Sequence, residues 1–487
     1  MKLNPYEWSR IARANKLRPT TPQVRYGHAS AAFSSGVVVH GGYNNEEAPT
    51  WLDDVWALKY DASRAWSWSK IQIRANKNAQ SPLTLFVPLA RYSHTLVKMQ
   101  WHPTQETFYL FGGDDGGQSS RSSKNSRSSR SSSNGGTSGY HWGHYFNDVW
   151  KLHLNAKSLV GTWRKLEHMK ENSGPSPRTC DTSVVLKHNA LDCMLVFGGL
   201  TTTTVHTKVQ LLTSNELWMM SPDGTGMVHW TLLQPQTPVQ APTVGIQRRP
   251  PARYGHTAAV TSGDTARMYV YGGKSRESKV LYSDLWSYNK HTNKWATVVS
   301  HGVGGHGVPV GLLYGTMTSM VVESSRQQLL LYGGASGCAR RCTTESNTWV
   351  FDLKTAEWTL LLLGTTNKKN QPMHRYRHSM TKVTTASSSA VTNQKKTGEQ
   401  GHVVVQHVMF GGESYGEVQK YHSDAWTMAS SSVSSVSSVK GIEQAAVEGD
   451  SVALAAAPLH VLNVLLLSSV VFLVCVVVRW QKKKKHK

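Results

Sequence analysis

The sequence predicts an all-β protein: six small antiparallel sheets arranged around one axis, followed by a single membrane-crossing helix. Three observations predict this. A short apolar strand ending in a Gly pair recurs six times. An Arg-Tyr-x-His element precedes most of those pairs. An acidic or amide residue, a small or apolar residue and a Trp follow each pair. With 40 Gly and 17 Trp in 487 residues, the composition favours many tight turns and aromatic wedges over long helices. The chain lacks a Gly-X-Y period and a heptad run, which excludes collagen and coiled coil.

The Gly pairs are Gly41–Gly42, Gly112–Gly113, Gly198–Gly199, Gly272–Gly273, Gly333–Gly334 and Gly411–Gly412. The element upstream runs Arg25–His28, Arg91–His94, Arg253–His256 and Arg375–His378. The third unit carries the variant Arg178-Thr-Cys-Asp and the fifth is aligned as Leu313-Tyr-Gly-Thr. Downstream stand Trp56, Trp150, Trp218, Trp286, Trp349 and Trp426. A second Trp (Trp68, Trp163, Trp230, Trp295, Trp358) opens another short strand in the first five units. Each unit thus holds four strands, and such a sheet buries both faces only when packed against neighbours. The sixth unit stops at Asp424–Met428 without its fourth strand, while Tyr6-Glu-Trp8-Ser-Arg-Ile11 matches the missing one. The N-terminal strand is therefore expected to complete the last sheet, and the repeated Trp and Tyr to be core residues.

This pattern resembles the kelch repeat over Tyr6–Met428. The resemblance implies a six-bladed kelch-type β-propeller closed by an N-terminal strand, with loop insertions explaining repeats longer than the usual ~50 residues. The expected organisation is 1–428 propeller, with low-complexity insertions at 116–140 and 384–401, then a Ser/Val/Ala-rich linker 429–458, a transmembrane helix 459–478 and a basic tail 479–487.

The apolar segment Leu459–Val478 carries no formal charge and is long enough to span a bilayer as a helix. The basic tail after it favours a cytosolic C-terminus, which would place the propeller in a lumen or outside the cell. In that topology Lys484 and Lys485 resemble a dilysine retrieval signal of the endoplasmic reticulum. The start has no apolar run of signal-peptide length and no Asn lies in N-x-Ser/Thr, which favours instead a tail-anchored arrangement with the propeller facing the cytosol.

Lys plus Arg number 53 and Asp plus Glu 30, a formal charge of +23. Such a balance favours acidic partners. No basic motif with interleaved aromatics tracks a nucleic-acid backbone, so no nucleic acid is expected. Loops between the second and third strands share a face with the connections between units, and most long loops lie there. Arg121, Lys124, Arg127, Arg130, Lys208, Arg248, Arg249, Lys274, Arg276, Lys279, Arg340 and Arg341 are expected to form a basic rim on that face. It would bind a protein partner, acidic or phosphorylated.

The repeated His28, His94, His256 and His378 occupy equivalent positions and are read as structural. No nucleophile elbow, phosphate-cradling Gly loop or H-E-x-x-H occurs. Two kelch groups are enzymes, resembling galactose oxidase and the plant specifier proteins. Glu413, Glu417 and His422 do not follow the specifier order. The expected function is a non-catalytic, monomeric interaction scaffold without cofactor, catalytic residue or metal site. The alternatives are a luminal or extracellular receptor or adhesion protein and, less favoured, a metal-dependent kelch enzyme. Of the five Cys, Cys475 lies in the apolar segment, and Cys338 and Cys342 stand close enough for a local disulfide or two free thiols.

Overall fold

Alternation of apolar and polar residues, bounded by Gly and Asn turns, makes nearly every repeated segment a strand. In the computed structural model, residues 7–433 are described except 14–19, 47–48, 62–64, 76–85, 101–105, 117–143, 170–173, 189–190, 206–207, 225, 238–247, 264, 301–306, 323–325, 338–341, 362–370, 388–401 and 416–418. Regular structure among the described residues is β. The segment 459–478 lies outside them, and no described helix is long and apolar enough to cross a membrane.

Repeat one contributes Ala29–Phe33, Gly36–Asn44, Thr50–Tyr60 and Trp66–Lys70. Repeat two contributes Thr95–Lys98, Glu106–Phe111, Val149–Asn155 and Val160–His168. Repeat three has Thr182–His188, Leu191–Phe197, Leu217–Pro222 and Met227–Gln234. Repeat four has Thr257–Val260, Met268–Tyr271, Leu285–Asn289 and Lys294–Val299. Repeat five has Thr316–Val322, Arg326–Tyr332, Thr348–Asp352 and Glu357–Leu360. Repeat six has Ser379–Ser387, His402–Phe410 and Asp424–Val433, and the N-terminal strand Trp8–Arg13 pairs antiparallel with the last of these, Trp8 opposite Met428.

These strands form five sheets of four or more strands, the architecture of a β-propeller. Repeats one, four, five and six each make a four-stranded sheet. Repeats two and three share a nine-stranded sheet, because Glu167 and His168 pair in parallel with Met227 and Val228. Gln72–Ile73 adds to the same sheet beside Val160 and Gly161.

The apolar core is divided into wedges between consecutive repeats. Leu110 and Trp163 pack with Val38 and Ile71 between repeats one and two. Equivalent clusters fill the gaps from two to three, three to four, four to five and five to six. Val37, Trp68, Val408 and Phe410 fill the gap from six back to one, so the chain closes on itself.

The Gly pairs work at these seams. The second Gly of each pair donates its N–H to the first residue of the next repeat's element. The bonds run Gly42 to Arg91, Gly113 to Arg178, Gly199 to Arg253, Gly273 to Leu312, Gly334 to Arg375 and Gly412 to Arg25. Gly41 has φ +66°, and a Cβ there would lie 2.8 Å from the Arg91 carbonyl and 2.9 Å from the His94 ring. The seam thus closes more tightly than any side chain permits.

Several sequence expectations change. Leu200–Val205 and Lys208–Thr213, where a loop bearing Lys208 is expected on the rim, form a β-hairpin that also pairs with Arg178–Thr179. β-Branched Thr suits a strand. Residues 384–387, assigned to an insertion, continue the strand Ser379–Ser387. The last strand runs to Val433, past the expected propeller boundary at 428. The fifth element shifts by one residue. Leu313 bridges Ala335 as Tyr26 bridges Tyr43, so the element is Leu312-Leu313-Tyr314-Gly315. The Tyr-Gly dipeptide had drawn the alignment one place too far.

Candidate functional site

The Arg-Tyr-x-His elements meet at the axis. At the x position stand Gly27, Ser93, Cys180, Gly255, Tyr314 and Arg377. All six have left-handed backbone, with φ from 52° to 62°. Each donates its N–H to the carbonyl of the x residue before it, at 2.6–3.0 Å. Arg377 closes the circle by accepting from Gly27 at 2.9 Å. This closed hydrogen-bonded ring fixes where the x side chains sit.

The first element residue supports the ring from outside. Arg253, fully buried, donates from Nη1 to the Gly272 carbonyl at 2.9 Å and to Asp284 Oδ1 at 2.7 Å, and from Nη2 to Asp284 Oδ2 at 2.8 Å. Trp286 Nε1 donates to the same carboxylate at 2.6 Å. Arg25, Arg91 and Arg375 repeat this fork with Asp54, Asp148 and Asp424. Arg178 uses Glu216. Burial would raise the Asp424 carboxyl, but the Arg375 guanidinium and the Trp426 N–H hold it well below the usual range. The Arg and Trp had been legible as repeated residues; that they share one carboxylate had not.

The element histidines bind across the seams. His28 Nε2 lies 2.8 Å from Ser379 Oγ, His256 Nε2 2.8 Å from Thr182 Oγ1 and His378 Nε2 2.7 Å from Thr316 Oγ1. For His94 the equivalent sequence position is Ala29, which has no hydroxyl, and its Nε2 instead meets the buried His40 Nδ1 at 3.0 Å. Burial lowers His28 and His256 to about 3, so these rings stay neutral. In repeat three Asp181 stands in the His position. Both its carboxylate oxygens are buried without a hydrogen-bond partner, and burial raises its pKa to about 7.

On the loop face above the ring, tyrosines line the axis. The Arg377 guanidinium lies 4.4 Å from the Tyr314 ring centre, 5.5 Å from Tyr26, 5.8 Å from Tyr376 and 6.0 Å from Tyr92. Its Nη1 is 3.5 Å from Glu413 Oε1, and its Nε is buried with no hydrogen-bond partner. Tyr43, Tyr415 and Tyr421 continue the wall outward through Tyr26 and Tyr376. Cys180 Sγ lies 3.4 Å from the Tyr314 hydroxyl, and burial raises the thiol pKa. Burial lifts Asp114 to about 6 despite the Gly116 N–H it accepts. A partly buried cation among aromatic faces suits an incoming carboxylate or phosphate. Sequence reasoning had passed over Arg377 as a spacer. The signal for it was its charge, alone among the six x residues.

The expected rim residues are placed only in part. Lys274 bridges Tyr254 and Leu281, half-buried, and Arg276 is exposed beside it, its N–H donating to Thr213 Oγ1 at 3.0 Å. Burial raises Tyr145 and Tyr254, and Arg276 is among the charges acting against that. Arg248 is exposed, while Arg249 Nη1 donates to the Pro235 carbonyl at 2.6 Å. Arg121, Lys124, Arg127, Arg130, Arg340, Arg341, Lys484 and Lys485 lie outside the described residues, as does the Lys208 side chain. Cys342 is disulfide-bonded, and Cys180 and Cys193 are free. Among the described residues no three His, Cys, Asp or Glu gather as a metal-ligand group.

Fold and repeated element together define a kelch-type β-propeller, a class commonly used as a protein-interaction module. The chain belongs to the Attractin/LZTR1 beta-propeller family, whose model matches residues 135–386, more than half of it. It is also similar to Kelch repeat-containing protein 2 of Saccharomyces cerevisiae (strain ATCC 204508 / S288c), 24% identical over 203 residues. That match covers 41% of this chain and 20% of the yeast protein, so the chain spans about a fifth of that relative. A solved structure titled "Structure of YjhT" matches with a TM-score of 0.46 and 14% identity, over 84% of this chain and 95% of that one.

Proposed function

We propose that the chain is a membrane-tethered, non-catalytic scaffold whose six-bladed propeller takes an acidic or phosphorylated segment of a protein partner on its loop face. The observation that carries this reading is Arg377 set among Tyr26, Tyr92, Tyr314 and Tyr376 at the axis, with Lys274 and Arg276 beside Tyr254. Rigid aromatic faces supply contact area and the guanidinium supplies charge complementarity. Binding full-length protein to an array of acidic and phosphorylated peptides tests it. Arg276→Glu, at an exposed site, is expected to abolish capture, and unchanged capture by both Arg276→Glu and Arg377→Gln would overturn the reading.

The six-blade count is supported by the six-membered axial ring and by two four-stranded meanders within the nine-stranded sheet. A cryo-electron map with five radial sheets would contradict it. The tether is 459–478, reached through a linker that follows Val433, and it raises the partner's local concentration at the membrane. A ring closed by its own N-terminal strand supports a monomeric propeller, since closure needs no second chain.

The propeller faces the cytosol in one topology and a lumen in the other. The disulfide at Cys342 favours the second, because disulfides persist in oxidising compartments. Protease protection on intact vesicles, with tags at Met1 and near Ser133, decides between them. Digestion of both tags without detergent places the propeller in the cytosol. Protection of both places it in the lumen, and Lys484→Ala with Lys485→Ala should then release the protein from the endoplasmic reticulum.

A further inference from the structure

A second charged concavity lies away from the loop face. Its lining includes the turn after Phe33, the turn from Asn155 to Val160 and the turn after Pro222, all at the strand ends opposite the Gly pairs. It is a cleft of about 1330 Å³ where repeats one, two and three converge. Arg74, Lys98, Lys151, Lys157 and Arg164 line it, and Glu106 is the one carboxylate among the described lining residues. Lys98 Nζ already meets Glu106 at 2.6 Å, and the Ser34 N–H donates to that carboxylate at 2.8 Å. The acid is therefore committed within the wall. Lys151 extends over the Tyr109 ring at 5.9 Å. Burial, and then the Arg164 charge, lower its pKa, so like charges are held together there in partial isolation from water.

We propose that this cleft binds a small ligand carrying several phosphate groups. A concave site gathering ammonium and guanidinium groups against one neutralised acid concentrates compact anions. Most of the lining residues are polar or charged, with Leu154, Val160 and Pro222 as the larger aliphatic ones, so what distinguishes the cleft is its concentration of cations. The site is distinct from the axial mouth, and its failure would leave the loop-face reading untouched.

The test is calorimetric titration of full-length protein in detergent with inositol 1,4,5-trisphosphate, alongside flotation with phosphatidylcholine vesicles containing phosphatidylinositol 4,5-bisphosphate. Saturable binding is expected, weakened more than about tenfold by Arg74→Glu with Lys157→Glu, two exposed side chains. Arg276→Glu on the loop face should leave it unchanged. Binding of both probes identifies a free ligand as sufficient, whereas binding of vesicles alone assigns the same chemistry to a lipid headgroup. Absence of saturation with either probe would overturn the proposal. So would binding indifferent to the Arg74 and Lys157 reversals, or equally weakened by Arg276→Glu.

Discussion

Repeats four and five are neighbours with the same backbone plan, yet their loop-face ends are held by different chemistry. Repeat four uses the buried Arg253–Asp284 fork. Repeat five has Leu312 and Asn347 at those two places. The backbone does not register the difference. The Leu312 carbonyl accepts from Gly273 at 2.7 Å just as the Arg253 carbonyl accepts from Gly199 at 3.0 Å. Leu312 is buried in the wedge with Tyr271 and Trp349. The cation and the anion are thus absent together from one repeat. A buried guanidinium without its carboxylate is strongly unfavourable, whereas a well-packed apolar replacement of the whole pair is tolerated. What the repeats have in common is the seam hydrogen bond, and the side-chain pair is exchangeable only as a pair.

Breaking the pair on one side should have the largest effect. Arg253→Leu leaves Asp284, only 2% exposed, facing an apolar side chain, and should lower stability by about 3–5 kcal/mol. Adding Asp284→Asn converts repeat four to the repeat-five pattern and should restore most of the loss. Denaturant unfolding followed by Trp fluorescence measures both. If the double variant is no better than the single one, pairing is not what distinguishes the repeats.

The reverse change sharpens the comparison. Leu312→Arg alone inserts a buried cation opposite Asn347 and should cost about 3 kcal/mol. With Asn347→Asp the fork can form, and the unfolding midpoint should return toward that of the parent.

Repeat three breaks the plan differently, through Asp181 in place of His. Its folded-state pKa is raised to about 7 by burial. Between about pH 4 and 7 the native state therefore holds a proton that the unfolded chain has lost. Stability contributed by this group is full below that window and falls as pH rises through it. Asp181→Asn should remove the slope and leave the protein more stable at pH 8 but little changed at pH 4. The neutral His28 and His256 slope the opposite way: they contribute stability above about pH 6.5 that is lost as pH falls toward 3. Thermal scans of parent and variant across this range separate the two effects.

The smallest effect concerns the axial ring. Ser93 holds φ 52° where Gly27 and Gly255 sit without a Cβ. Ser93→Gly relieves left-handed strain but adds unfolded-state entropy, so a gain of no more than about 1 kcal/mol is expected. A loss in the unfolding midpoint would show that the Ser93 side chain does more than tolerate its backbone.

The sequence by itself determined the repeat, its strands, the aromatic core positions and the closing N-terminal strand. Those features are local: the two-residue strand period, the Gly that turns, the Trp that fills a wedge. Strand ends were misread where composition resembled a loop, at Leu200–Thr213 and beyond Met428, because pairing partners far along the chain decide whether Thr- and Ser-rich segments become strands. Only the tertiary structure decided the rest. It joined Arg253 to Asp284 across 31 residues and carried six separated x residues to one axis. It left Arg377 among tyrosines from four repeats and gathered five cations from repeats one and two into one cleft. The physical reason is that charge and aromatic contacts act through space over a few ångströms, while the residues that make them are tens to hundreds of positions apart.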